Sequence, residues 1–152
     1  MSRYAIVVGR FYDELAERLL AGARGQLQGA GAAEVDVFDV PGAFELPLGA
    51  AYAAWSGRYA GVVCLGAVIR GETDHYEFVA AEAARGIQGV QLRTGVPCGF
   101  GVLTVETMEQ ALARSGGGTR DTGRDAAAAV LTMAALRDEL GVACGSRDPA
   151  GQ

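Results

Sequence analysis

Four short apolar runs alternate with longer amphipathic stretches along this chain. Tyr4-Ala-Ile-Val-Val8 is continuous and stops at Gly9, as a buried strand would. Residues 12–27 then place Leu15, Leu19, Ala23 and Leu27 at a spacing of four, which is one face of a helix. Glu34-Val-Asp-Val-Phe-Asp-Val40 alternates apolar and polar positions, which suits a strand exposed on one face. Pro41-Gly42 punctuates it. Residues 45–55 read as a helix, with Pro47 tolerated in the first turn and Leu48, Tyr52 and Trp55 on one side. Gly61 to Ile69 has no polar face, like a strand in the middle of a parallel sheet.

Arg70-Gly-Glu-Thr-Asp74 leads into a helix expected from about His75 to Ala84, burying Tyr76, Val79 or Ala80, Ala83 and Ile87. Pro97 to Thr104 contains a fourth strand. Thr107 and Gln110 match a capping box, so a helix should start there and run to about Arg114. Ser115-Gly-Gly-Gly-Thr119 reads as the most flexible stretch. A last helix is expected from about Arg124 to Leu140, with Ala129, Met133, Leu136 and Leu140 on its face and Gly141 as its stop. The order βαβαβαβαα implies a three-layer α/β/α sandwich: a four-stranded parallel sheet in a flavodoxin-like arrangement with right-handed crossovers. Residues 1–142 are expected to form one domain, and 143–152 a frayed tail.

Composition narrows the classes. The chain has 152 residues, half of them hydrophobic, and a net charge of −5, which excludes a disordered chain and argues against generic nucleic-acid binding. No apolar run approaches the ~20 residues needed to span a bilayer. No secretory leader is visible before Tyr4, so a cytoplasmic protein is expected. Cys64, Cys98 and Cys144 form no CxxC, and no His stands at metal-ligand spacing from them. Cys64 and Cys98, in apolar strand-like runs, read as small buried hydrophobes in a reducing compartment, with no structural metal.

In open parallel sheets ligands bind beyond the carboxyl ends of the strands. That selects Gly9 to Tyr12, Pro41 to Glu45, Gly66 to His75 and Thr104 to Glu106. His75, the one histidine, should fall in a first helical turn after Asp74 as N-cap. There the helix dipole disfavours imidazolium, so it is either a proton-accepting imidazole or a surface histidine. The same helix start offers backbone N–H groups to an anion, with the Thr73 hydroxyl in support and the Glu72 carboxylate opposed unless it points away; a plain turn is the alternative. Neither a P-loop nor a GxGxxG fingerprint is present. Arg114 is either a cation complementing a helix C-terminus or a phosphate clamp. Phe11 could stack on a planar heterocycle or plug the core, and Phe44 poses the same choice. Glu45 is either a helix N-terminal acid or an acceptor for ring or sugar donors.

Five stretches, in order and covering nearly the whole chain, carry a resemblance. They are Val7 to Phe11, Val40 to Pro47, Leu65 to Tyr76, Gly95 to Pro97 with Phe100 to Thr104, and Glu109 to Arg114. Together they resemble the 6,7-dimethyl-8-ribityllumazine synthase family of riboflavin biosynthesis. The resemblance implies condensation of 5-amino-6-(D-ribitylamino)uracil with 3,4-dihydroxy-2-butanone 4-phosphate, with loss of phosphate and water and no cofactor or metal. It implies that Phe11 stacks on the pyrimidine ring and that Ala43, Phe44 and Glu45 hold ring and ribityl chain. Ala67, Val68 and Ile69 would line the ring pocket, and Glu72 and Thr73 would offer backbone N–H groups to the phosphate. His75 would shuttle protons. Phe100 and Arg114 would come from a neighbouring subunit, in a pentamer or a multiple of pentamers, with riboflavin synthase as a candidate partner.

The chain departs from the family pattern at Tyr12, often Asn; at Glu72, usually small or neutral; and at Thr122, usually Lys, for which Arg120 or Arg124 could substitute. The N-terminus is short where many members carry an extra leading strand. Two other readings stay open: an archaeal-type riboflavin synthase, and a non-catalytic flavin- or lumazine-binding or shell protein of the same fold.

Overall fold

Small residues decide how closely the layers of this protein approach one another. The computed structural model describes residues 2–72 and 74–143; Met1, Thr73 and 144–152 lie outside the described residues. Thr73 as an anion contact, Cys144 and most of the expected tail fall there. Strands β1 (Arg3–Gly9), β2 (Glu34–Val40), β3 (Gly61–Ile69) and β4 (Cys98–Val105) form one all-parallel sheet in the order β2-β1-β3-β4. Helices α1 (Asp13–Gly29), α4 (Met108–Ala113) and α5 (Thr122–Leu140) cover one face; α2 (Leu46–Trp55) and α3 (Tyr76–Thr94) cover the other. This is the expected three-layer α/β/α, flavodoxin-like fold. Strand alternation produces it: Tyr4, Ile6 and Val8 of β1 face α1 and α5, while Ala5 and Val7 face α2 and α3. Cys64 and Cys98 are buried free thiols, and burial pushes Cys98 up to about 12 and Cys64 well above the ordinary thiol range. Among the described residues, no helix is long and apolar enough to cross a membrane.

The α1 face is as expected, with Leu15, Leu19, Ala23 and Leu27 all fully buried. The α4 cap is also as expected: Gln110 N donates to Thr107 Oγ1 at 3.2 Å, and Gln110 Oε1 accepts from Glu106 N at 2.8 Å. Three helices differ from expectation. α3 runs ten residues past Ala84, and its true stop is Gly95, left-handed at φ 73° and followed by Pro97. Gly86 inside it serves packing, since a Cβ there would meet the Pro47 ring at 2.6 Å. On α2, Leu48, Tyr52 and Trp55 do share a side, but it is the exposed side; Leu46, Ala50 and Ala54 face the sheet. α5 also turns the other way. Its Met133, Leu136 and Leu140 are exposed, as is Ala129, and the sheet receives Ala126, Ala127, Val130 and Ala134. Close approach explains this: a Cβ at Gly99 would lie 2.6 Å from the Ala126 carbonyl oxygen, and one at Gly61 would lie 2.3 Å from Val130. Only small side chains fit such a seam. Residues 115–119 are also less free than expected. Gly116 N donates to Arg120 O at 3.0 Å, Arg120 N donates to Ala113 O at 3.2 Å, and Ser115 bridges to Asp121.

Candidate active site

The loops after β1 and β2 abut because both contain glycine. A Cβ at Gly9 would sit 3.0 Å from the carbonyl carbon of Gly42. Arg10 fixes the first loop. Its backbone N–H donates to Val40 O at 2.9 Å, its Nε donates to Asp39 at 2.8 Å, and its Nη1 pairs with Asp13 and Glu17. Beside these loops, at the carboxyl ends of β1, β2 and β3, lies an open cleft of about 190 Å³. It occupies the point where the chain reverses direction across the sheet, between β1 and β3. Phe11 and Tyr12 form one wall. Gly42, Ala43, Phe44 and Glu45 form a second, and Ala67, Val68 and Ile69 a third; Val79 of α3 closes it.

Seven sequence-predicted residues therefore meet in one cavity. Phe11 is 74% exposed and Phe44 58% exposed, so neither plugs the core. Glu45 stands at the N-cap of α2 without capping through its side chain, and its carboxylate folds back over Gly42. His75 is itself the N-cap of α3, where Asp74 was expected, because helical geometry begins only at Tyr76. Its carbonyl accepts from Val79 N at 3.0 Å. The cleft lining includes Val79, one turn further on, and not His75. Arg70 ties this corner together. Its guanidinium stacks 5.1 Å from the Tyr76 ring centroid and pairs with Glu77 at 3.3 Å and Glu106 at 3.7 Å.

Phe100 and Arg114 are not in this cavity. Phe100 lines a separate hollow with Cys98, Val130 and Met133. Arg114 is the C-cap of α4, and among the described residues its guanidinium has no hydrogen bond or ion pair. Neither candidate substitute for the family lysine faces the cleft: Arg120 pairs with Asp125 at 3.8 Å, and Arg124 Nε donates to Gln26 at 3.2 Å. Tyr12 and Gly42 lie in the segments selected from sequence without a role of their own, and Val79 was missed as a cleft wall. Their positions at strand ends and on the α3 face were the available signals.

Tyr12 stands beside Glu72. Its ring meets Phe11 edge-on, with centroids 4.8 Å apart and planes at 75°, and the nearby Glu72 carboxylate favours its protonated phenol. Two departures from the family pattern thus lie next to each other. Burial first, then Glu72, pushes the Tyr12 phenol up from 10.0 to about 12. Between these values the folded chain keeps a proton that the unfolded chain releases, so stability falls as pH rises through that window. Spectrophotometric titration checks this. Tyr12→Phe should remove a phenolate signal that appears near 12, and Glu72→Gln should move that signal part of the way back; a Tyr12 signal already complete near 10 would exclude the pair.

Comparison with known proteins agrees with this geometry. The family model for 6,7-dimethyl-8-ribityllumazine synthase matches residues 1–138. A protein of that name from Desulfatibacillum aliphaticivorans is 46% identical over 140 residues, covering 91% of this chain and 90% of its own. Another, from Syntrophus aciditrophicus (strain SB), is 48% identical over 140 residues, covering 91% of each. The chain belongs to the 6,7-dimethyl-8-ribityllumazine synthase family.

Proposed function

We propose that this cleft condenses 5-amino-6-(D-ribitylamino)uracil with 3,4-dihydroxy-2-butanone 4-phosphate, releasing 6,7-dimethyl-8-ribityllumazine, phosphate and water. The observation that carries the reading is the pair of exposed rings, Phe11 and Phe44, on a cavity walled besides by Tyr12, Glu45 and small or aliphatic residues. A flat diaminouracil stacks on Phe11. Backbone groups of Ala67, Val68 and Ile69 meet its edge, and Glu45 accepts from ribityl hydroxyls. The phosphate meets N–H groups at Glu72 and Thr73. Arg114 clamps it and Phe100 closes the pocket, both from a neighbouring copy. This division accounts for their distance from their own cleft and for the unoccupied Arg114 guanidinium.

The amine is already nucleophilic, so holding both substrates together supplies much of the rate. His75 moves the protons of Schiff-base formation and phosphate loss. His75→Ala therefore slows turnover by about 10²–10⁴-fold without abolishing it. Rapid-mixing kinetics at saturating substrates checks this; an unchanged kcat removes His75 from the chemistry. The exposed apolar side chains of α2 and α5 support self-association, read as a pentamer or a multiple of pentamers. Riboflavin synthase, which would use the product, remains the candidate partner, and the cytoplasm the expected location. The whole reading is tested by incubating purified protein with both substrates and following the fluorescent lumazine. A binding-only protein of this fold would capture added lumazine and make none.

A further inference from the structure

We infer that Arg18, on α1, is a positioning residue that presents Arg114 to the substrate phosphate. The inference rests on the reading above that Arg114 binds that phosphate. Arg114 stands between a helix of six residues and the three consecutive glycines 116–118. Neither neighbour is stiff. Helices shorter than ~12–15 residues are marginal alone, and glycine carries the largest backbone entropy of any residue. Something outside the segment must hold it.

Arg18 reaches it from about a hundred residues away in sequence. Its Nε donates to Ser115 Oγ at 2.8 Å, and its Nη2 donates to Leu112 O at 2.8 Å and to Gly116 O. These three acceptors bracket Arg114 on both sides in sequence. They include carbonyls that the end of a short helix leaves without helical partners. Ser115 is buried, so its hydroxyl depends on protein partners. Arg18 itself is anchored, because Leu15 and Leu19 beside it on α1 are fully buried. The main chain of Arg114 is then fixed at both ends: its N–H donates to Ala111 O at 3.2 Å, and its carbonyl accepts from Thr122 N at 2.9 Å. One guanidinium thus ties the base of another to the core while leaving the second free to bind. A lysine ammonium lacks the planar fork that serves several acceptors at once.

The test uses the assembled full-length protein with both substrates varied. Arg18→Met should raise the KM for the butanone phosphate about tenfold, as loss of a charge-assisted contact would. The KM for the ribitylaminouracil should stay within about twofold, and Arg18→Lys should recover only part of the loss. Ser115→Ala, a milder change, should move the phosphate-substrate KM in the same direction. If Arg114→Ala raises that KM and the Arg18 and Ser115 variants do not, the positioning role is overturned. Equal rises in both KM values would also overturn it, since that marks a merely structural residue. If Arg114→Ala leaves the KM unchanged, the phosphate reading itself has failed. Should Arg18→Met not assemble, Arg18→Lys and Ser115→Ala decide the matter by the same criteria.

Discussion

Arg114→Ala is expected to raise the KM for the phosphorylated substrate by about 10–100-fold, the effect of losing a hydrogen-bonded charge worth ~1.5–3 kcal/mol. The ribitylaminouracil KM should barely move. The guanidinium has no partner among the described residues, so its removal breaks no internal contact. The variant should therefore fold and assemble as the parent does, and the loss can be assigned to binding. A mixing experiment asks which cleft it serves. Arg114→Ala chains lack the proposed clamp, and Phe11→Ala chains lack the proposed stacking ring, at an exposed position. Co-expressed, the two should form hybrids in which some clefts have both groups, and part of the activity should return. No recovery in verified hybrids would mean that Arg114 serves the cleft of its own chain.

Gly123→Ala is expected to be the most damaging small substitution in the chain. An added Cβ would sit 2.1 Å from the Leu19 carbonyl oxygen and 2.9 Å from its carbon, and these are backbone atoms of a fully buried helix turn. No flexible side chain can swing aside, so α1 and α5 must separate. Overpacking of this kind costs about 3 kcal/mol, the upper part of its usual range. For a domain of this size that lowers Tm by about 6–12 °C. Thr122, the neighbouring residue, holds the Arg114 carbonyl, so phosphate binding should weaken as well. Gly25→Ala is the matched control. Nothing lies within 4 Å of its added Cβ, and alanine is the better helix former by roughly 1 kcal/mol. Thermal melts at one protein concentration compare the two. Equal Tm values would show that the α1–α5 seam is looser than described.

How much of this could be read in advance depended on where large side chains sit. α1 buries leucines at a helical spacing, and its face was legible. α5 buries Gly123, Ala126, Ala127 and Ala134 while Met133, Leu136 and Leu140 point outward, so hydrophobic periodicity indicated the wrong side. In the proposed assembly the apolar pattern would report burial against neighbouring copies, of which a single chain offers only part. The extent of α3 was obscured by internal glycines, of which Gly86 has a tertiary purpose, contact with Pro47. The cleft was more legible than the helices. Strand ends of a parallel sheet converge whatever the side chains, and Phe11, Phe44 and Glu45 are unusual there. What stayed hidden were long-range pairings: Tyr12 with Glu72, and Arg18 with the segment around Arg114.

The outward-turned bulk of α5 carries a consequence for how the protein persists. A protein with a helix that turns mostly alanine and glycine inward, and methionine and leucine outward, gains free energy when a like neighbour covers that helix. By mass action its resistance to heat then scales with how many copies share the same volume. Diluted far enough, such a protein loses activity before it loses shape.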